Sequence, residues 1–238
     1  MAFKRGPNVV GLNDGSCVLY LDAANVKSYL GTGTVWTDLS KNNNNGTLTN
    51  GPTFSSDNMG SLVFDGVDDY IELGNILNFE RINPFSICFW IKAGIPTTYL
   101  PVINKLTWGV GLSGWRILSD INGIGLTFTL AANHTVNDIA LRIPSVLDNQ
   151  WHFVCFTYDG NGVTNGMTGY MDGVYIISGG GGNLTSTTTS ATPLGIFGGY
   201  GIYNSGAGRL SNASIYNRAL SVSEVLQNYN ALKHRFGL

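Results

Sequence analysis

The chain has 238 residues, 43% of them hydrophobic and only 12% charged, with 13 Lys+Arg against 15 Asp+Glu for a formal charge of -2. That length suits one all-β sandwich or barrel, and that apolar share builds a full core beneath a surface of Gly, Asn, Ser and Thr. The near-neutral balance offers no basic field for phosphates or an anionic bilayer, so neither nucleic acid nor a membrane is an expected partner.

Residues 1–12 contain Gly6-Pro7 among polar neighbours and read as an N-terminal arm able to fold against another subunit; residues 13–238 read as one domain. Lys4 and Arg5 are followed by no apolar stretch, and no run approaches the ~18 apolar residues of a span, so no signal peptide and no membrane segment are expected. Cys17-Val18-Leu19-Tyr20-Leu21 is the first strand, and Asn42 to Asn45 before Gly46 form a surface loop of turn-forming residues. Gly60 to Leu73 holds a strand, an acidic Gly-containing turn and a second strand, which reads as a β-hairpin. Phe85 to Ile91 is almost wholly apolar, as befits a central strand covered on both faces. Residues 93–133 are the least regular and read as loops or short strands. Trp151 to Tyr158 is a strand, and Asp172-Gly173 between Tyr170-Met171 and Val174-Tyr175 suits a type I′ turn, whose two central positions both need positive φ. Residues 178–192 read as a flexible connection or irregular edge. Ser221-Val222-Ser223-Glu224 is a capping box opening a helix over about 222–234, with Val222, Val225, Leu226, Tyr229 and Leu232 at helical spacing. The sum is an all-β, two-sheet antiparallel jelly-roll sandwich with a short C-terminal helix.

Chemistry is sparse. Cys17, Cys88 and Cys155 are odd in number and lie in apolar strand patterns, so they are expected as small buried side chains without an obligatory bridge. His134, His152 and His234 have no companions at metal-ligand spacing, and His152 is expected to be structural. No Gly-x-Ser-x-Gly elbow occurs, and Asp68 and Asp69, if in a strand, would face opposite ways. No enzymatic activity is expected.

Four segments in order, Gly60–Leu73, Trp151–Gly160, Gly169–Ile176 and Gly208–Leu220, resemble the laminin-G-like branch of the concanavalin A-like lectin and glucanase superfamily, over roughly Cys17 to Tyr229. Glycosidases of that superfamily need a carboxylate pair about 5 Å apart, whereas Glu72, Glu80 and Glu224 are the only glutamates and form no Glu-x-Asp-x-x-Glu pattern. Related domains often hold calcium, which makes Asp65 and Asp68 the metal candidates; the other reading is that both accept amides of their own turn. Ser211-Asn212 replaces the family's usual acidic pair and removes charges from such a site. A sugar needs aromatic platforms beside amide and hydroxyl groups. The candidates are Tyr99, Trp108, Trp115, Arg116, Asn133, His134, Tyr200, Tyr203 and Asn204, against the alternative that such tryptophans are core; Trp36, Trp90 and Trp151 are assigned to packing.

Arg5–Val10, Tyr20–Asn25, Trp36–Ser40, Asn45–Phe54 and Tyr216–Leu220 with the C-terminal Arg235–Leu238 are similar to structural proteins of tailed bacteriophages, of the cyanophage type. That resemblance implies a virion component (capsid decoration, neck or fibre), assembled in the host cytoplasm with other virion proteins and with copies of itself. Phe3, Lys4, Arg5 and Pro7 would make the assembly contacts. The alternative is a carbohydrate-binding module recognising host surface glycans.

Overall fold

The computed structural model describes residues 8–106, 112–133, 136–179, 182–199 and 206–238. In chain order the described residues form β1 (Cys17–Asp22), β2 (Val35–Trp36), β3 (Gly46–Thr49), β4 (Thr53–Ser55), β5 (Ser61–Asp65), β6 (Tyr70–Glu72), β7 (Phe85–Lys92) and β8 (Leu100–Asn104). They continue with β9 (Gly114–Ser119), β10 (Leu126–Asn133), β11 (Asn137–Ile143), β12 (Trp151–Tyr158), β13 (Met167–Met171), β14 (Val174–Ser178), β15 (Gly195–Ile196), β16 (Ala207–Tyr216) and the helix α1 (Val222–Leu232). Two antiparallel sheets result. The first runs β14-β13-β12-β7-β16-β5-β4, with β1 on the far half of β16; the second runs β11-β10-β9-β8-β15-β6-β3-β2. The jelly-roll sandwich read from the strand pattern is the architecture found.

The core lies between the sheets, where Ile87, Phe89 and Ile91 of β7 meet Phe128 and Leu130 of β10 and Ile103 of β8. β7 is buried along its length because its second face is covered too: Cys88 and Trp90 join Phe153, Tyr216, Val225 and Leu232 in a separate cluster beneath α1. Trp90 stacks on Phe236 at 4.1 Å and Tyr229 at 5.6 Å between ring centroids. The helix thus lies on the outer face of the first sheet.

Its start follows the expected capping box: Ser221 Oγ accepts from the Glu224 N–H at 3.4 Å, and Glu224 accepts from the Ser221 N–H at 2.9 Å. Glu224 also takes both guanidinium nitrogens of Arg218, at 2.8 and 2.7 Å. That bidentate contact, with the Ser221 amide, holds the Glu224 carboxyl down at about 2. Its stabilisation is therefore present above the ordinary value of 4.5 and lost as pH falls through about 2. Arg218→Met is expected to lower stability at pH 7 by about 1 kcal/mol or less. In urea denaturation across pH, the gap from wild type should close between about 4.5 and 2.

The α-helix ends at Leu232, and Lys233–Phe236 tightens into a 3₁₀ turn, so the expected 222–234 helix divides into two pieces. Asp172 and Gly173 carry φ of 52° and 77°, the turn expected there, and α1 rests on it through Tyr229 and Leu226. Residues 93–133, read as loops or short strands, contribute three strands of the second sheet, β10 being eight residues long. Gly94 lies ahead of β8 and Gly123 and Gly125 between β9 and β10, while Gly114 opens β9, and Pro101 is accommodated beside a register shift in β8. The 182–192 stretch is irregular, as expected, yet pinned: Thr188 is buried, donating through its N–H to Glu80 and through its hydroxyl to the Phe79 carbonyl.

The cysteine reading is corrected at two positions. Cys88 and Cys155 stand directly opposite each other on β7 and β12 and are joined as a disulfide, while Cys17 is free and buried. The described part of the arm, residues 8–12, packs on its own chain: the Val10 N–H donates to Asn228, and Gln227 donates to the Asn8 carbonyl. Phe3, Lys4, Arg5 and Pro7 lie outside the described residues. Among the described residues no helix is long and apolar enough to cross a membrane.

Candidate functional site

Strand alternation decides which sugar candidates can meet solvent. Trp115 and its neighbour Arg116 in β9 point to opposite faces. Trp115 faces the core with no exposed surface, packs beside Phe79 and Phe85, and donates its indole N–H to the Leu77 carbonyl at 3.0 Å. It offers no ring face to a ligand, which corrects its place among the sugar platforms. Arg116 lies on the outer face of the second sheet, directly opposite Asn104 on β8 and Thr129 on β10. It is largely buried; that burial holds its guanidinium below its ordinary value, against the pull of Asp120, Asp138 and Tyr99. Tyr99, just before β8, is half-buried, and so is Asn133 at the end of β10. Trp108, His134, Tyr200, Tyr203 and Asn204 lie outside the described residues.

The acidic turn is tighter than strand geometry predicted. Asp68 and Asp69 lie in the turn between β5 and β6, not in a strand, and oxygens of Asp65, Asp68 and Asp69 converge to within 4.8 Å of one another. The sequence reasoning missed Asp69, the buried member. Asp69 Oδ2 accepts from the Asp65 N–H at 3.1 Å, and Asp65 Oδ1 accepts from the Val67 N–H at 2.8 Å. Burial first, with the charges of Asp65 and Asp68 beside it, raises the Asp69 carboxyl above the usual carboxylate range. Hard carboxylate oxygens suit a calcium ion, and these three are the residues that could hold one. His152 is satisfied structurally, with Nδ1 2.8 Å from Asp172 Oδ2 and Nε2 3.2 Å from Asp148 Oδ1.

An open concavity lies elsewhere, at the ends of β5, β7 and β16. A groove of about 350 Å³ is lined by Lys92, Gly94, Asn149, Gly208 and Arg209. A second, of about 250 Å³, is lined by Asp65, Gly94, Thr97, Thr98 and Ala207. Gly94 and Ala207 belong to both, so the two form one continuous surface. Asn149 has a left-handed φ of 64° and anchors its loop by donating its N–H to the Ala93 carbonyl at 2.9 Å. Gly208 permits the close approach of β16, because a Cβ there would meet Phe197 at 2.9 Å and the Lys92 carbonyl at 3.1 Å. The lining mixes hydroxyl, amide, backbone and cationic groups. Among the described sugar candidates, Tyr99 adjoins this surface, next to Thr98.

The binding domain of Paraclostridial Mosquitocidal Protein 1 is similar in fold, with a TM-score of 0.70 at 19% identity over 92% of this chain and 53% of that one. The botulinum neurotoxin serotype D ligand binding domain, in complex with N-acetylneuraminic acid, matches with a TM-score of 0.69 at 18% identity over 91% of this chain and 51% of that one. Trypanosoma rangeli sialidase in complex with sialic acid matches with a TM-score of 0.64 at 17% identity over 92% of this chain and 33% of that one. The chain thus spans about half the length of the toxin domains, and at these identities the likeness is one of fold. No curated protein matches it in sequence. Residues 65–226, more than half of the chain, match Laminin_G_3, and the chain belongs to this family of the concanavalin A-like lectin/glucanases superfamily.

Proposed function

We propose that this chain is a non-catalytic glycan-recognition module presented on the surface of a larger assembly. The observation that carries the reading is the continuous pair of grooves meeting at Gly94, edged by Lys92 at the end of β7 and by Thr97, Thr98 and Asn149 in the loops beside it. A saccharide ring needs such a shallow concavity with donors and acceptors at its rim. Recognition is favoured over hydrolysis because Asp65 and Asp69 each commit an oxygen to a backbone amide of their own turn, and Asp69 is buried from any substrate. The toxin neighbours, binding domains by name, support the same choice. The likeness of the opening and closing segments to tailed-phage structural proteins supports a virion as the assembly, with the module as a capsid decoration, neck or fibre component.

Gly94 supplies the test. A Cβ built there meets nothing within 4 Å and its φ is ordinary, so a side chain fits the fold and fills both grooves. On a glycan array the wild-type chain should bind a defined saccharide class, and Gly94→Phe should lose at least about tenfold in affinity with an unchanged thermal midpoint. Undiminished binding by Gly94→Phe would place the site elsewhere.

A further inference from the structure

Two cations face each other at the floor of the larger groove. Arg209 of β16 and Lys92 of β7 are direct partners across the antiparallel pair, and Lys92 is in turn opposite Trp151 of β12. Like charges directly opposite on neighbouring strands are destabilising, and a fold keeps such a conflict chiefly where a site uses it. Asp57 answers only part of the charge: it contacts Arg209 at 3.2 Å from the solvent side, itself 68% exposed. The Lys92 ammonium has no hydrogen bond or ion pair among the described residues, its charge reaching Asp57 without contact, and the side-chain amide of the exposed Asn149 beside it has none either. No carboxylate lines this groove. Besides Asp57, the acidic Asp65 lies in the adjoining groove and turns one oxygen into its own turn.

We propose that Lys92 and Arg209 form an anion-binding subsite that recognises a carboxylate or sulfate substituent on an acidic saccharide. The proposal rests on the glycan-recognition reading and narrows it. The anionic group lies between the two cations with Asn149 as a further donor, and the uncharged remainder of the sugar runs past Gly94 toward Thr97 and Thr98. The opposite orientation would bring the anion to Asp65. Arg supplies a forked pair of donors for the two oxygens, and Lys a point charge whose acidic neighbour, Asp57, is already engaged by Arg209.

The full chain is titrated calorimetrically with lactose, sialyllactose and a sulfated lactose, in parallel with the double variant Lys92→Met/Arg209→Met. The acidic sugars are expected to bind about 10- to 100-fold tighter than lactose, as charge-assisted hydrogen bonds provide. That preference should shrink with added salt and vanish in the double variant, whose thermal midpoint stays at or above wild type because the like-charge pair is gone. The sialylated and sulfated arms separate a carboxylate from a sulfate. Equal affinity for lactose and both acidic sugars, or a preference that survives the double variant, overturns the subsite while leaving glycan recognition standing. Absence of binding to every sugar would instead remove the functional reading itself. Should the double variant fold poorly, Lys92→Met alone leaves the Asp57 contact intact and gives the same discrimination.

Discussion

Arg235→Ala should cost the fold about 3–5 kcal/mol, the range for breaking a buried ion pair from one side. Arg235 extends from the 3₁₀ turn after α1 and donates to both oxygens of Asp22 at the end of β1, at 2.7 and 2.9 Å. The two side chains are 6% and 0% exposed, so neither charge has water to fall back on. Asp22 keeps two smaller contacts, from the Tyr20 hydroxyl at 3.0 Å and the Ala24 N–H at 3.1 Å, too few to satisfy a buried carboxylate alone. The loss would spread, since the same turn positions Phe236 on Trp90 and Trp151. Replacing both partners, as in Asp22→Asn/Arg235→Met, should recover much of the deficit, because no charge is then stranded. Guanidinium denaturation of the three variants checks this; a single-variant loss below about 1 kcal/mol would mean that the pair behaves as a surface contact.

Trp115→Ala is the second large effect, also expected at about 3–5 kcal/mol from the lost burial and the cavity left behind. The indole packs against the stacked pair of Phe79 and Phe85 and ties β9 to the loop at Leu77 through its N–H. The same variant separates the two roles a tryptophan could have here. As a core residue, Trp115 should leave glycan affinity per folded molecule unchanged while lowering the denaturation midpoint. A sugar platform would show the reverse, with intact stability and lost binding.

Much of the architecture was legible because its signals are local. The apolar run Phe85–Ile91 announces a strand covered on both faces, and the helix that covers its outer side is itself announced by Ser221 and Glu224. Asp172-Gly173 fixes its turn through backbone sterics alone. Legibility ended where register or tertiary placement decides. Nothing in the sequence says that Cys88 and Cys155 fall opposite each other, because that depends on how β7 slides against β12. The phase of β9 was equally hidden: glycines and a proline around it break the alternation that would have shown Trp115 inward and Arg116 outward. The groove escaped for the same reason. Lys92, Asn149 and Arg209 come from distant segments joined only by sheet pairing, and each alone looks like an ordinary surface residue. The acidic turn was half legible, with Asp65 and Asp68 identified and Asp69 missed, because its burial and its bond to the Asp65 N–H depend on how the turn folds back.

A structure of the chain with a bound saccharide from its preferred class tests the central claim most directly. The account predicts the sugar ring against Gly94 and Ala207, with its hydroxyls within hydrogen-bond reach of Asn149 and Thr97. Density for the sugar on the outer face of the second sheet, around Asn104, Arg116 and Thr129, would contradict it.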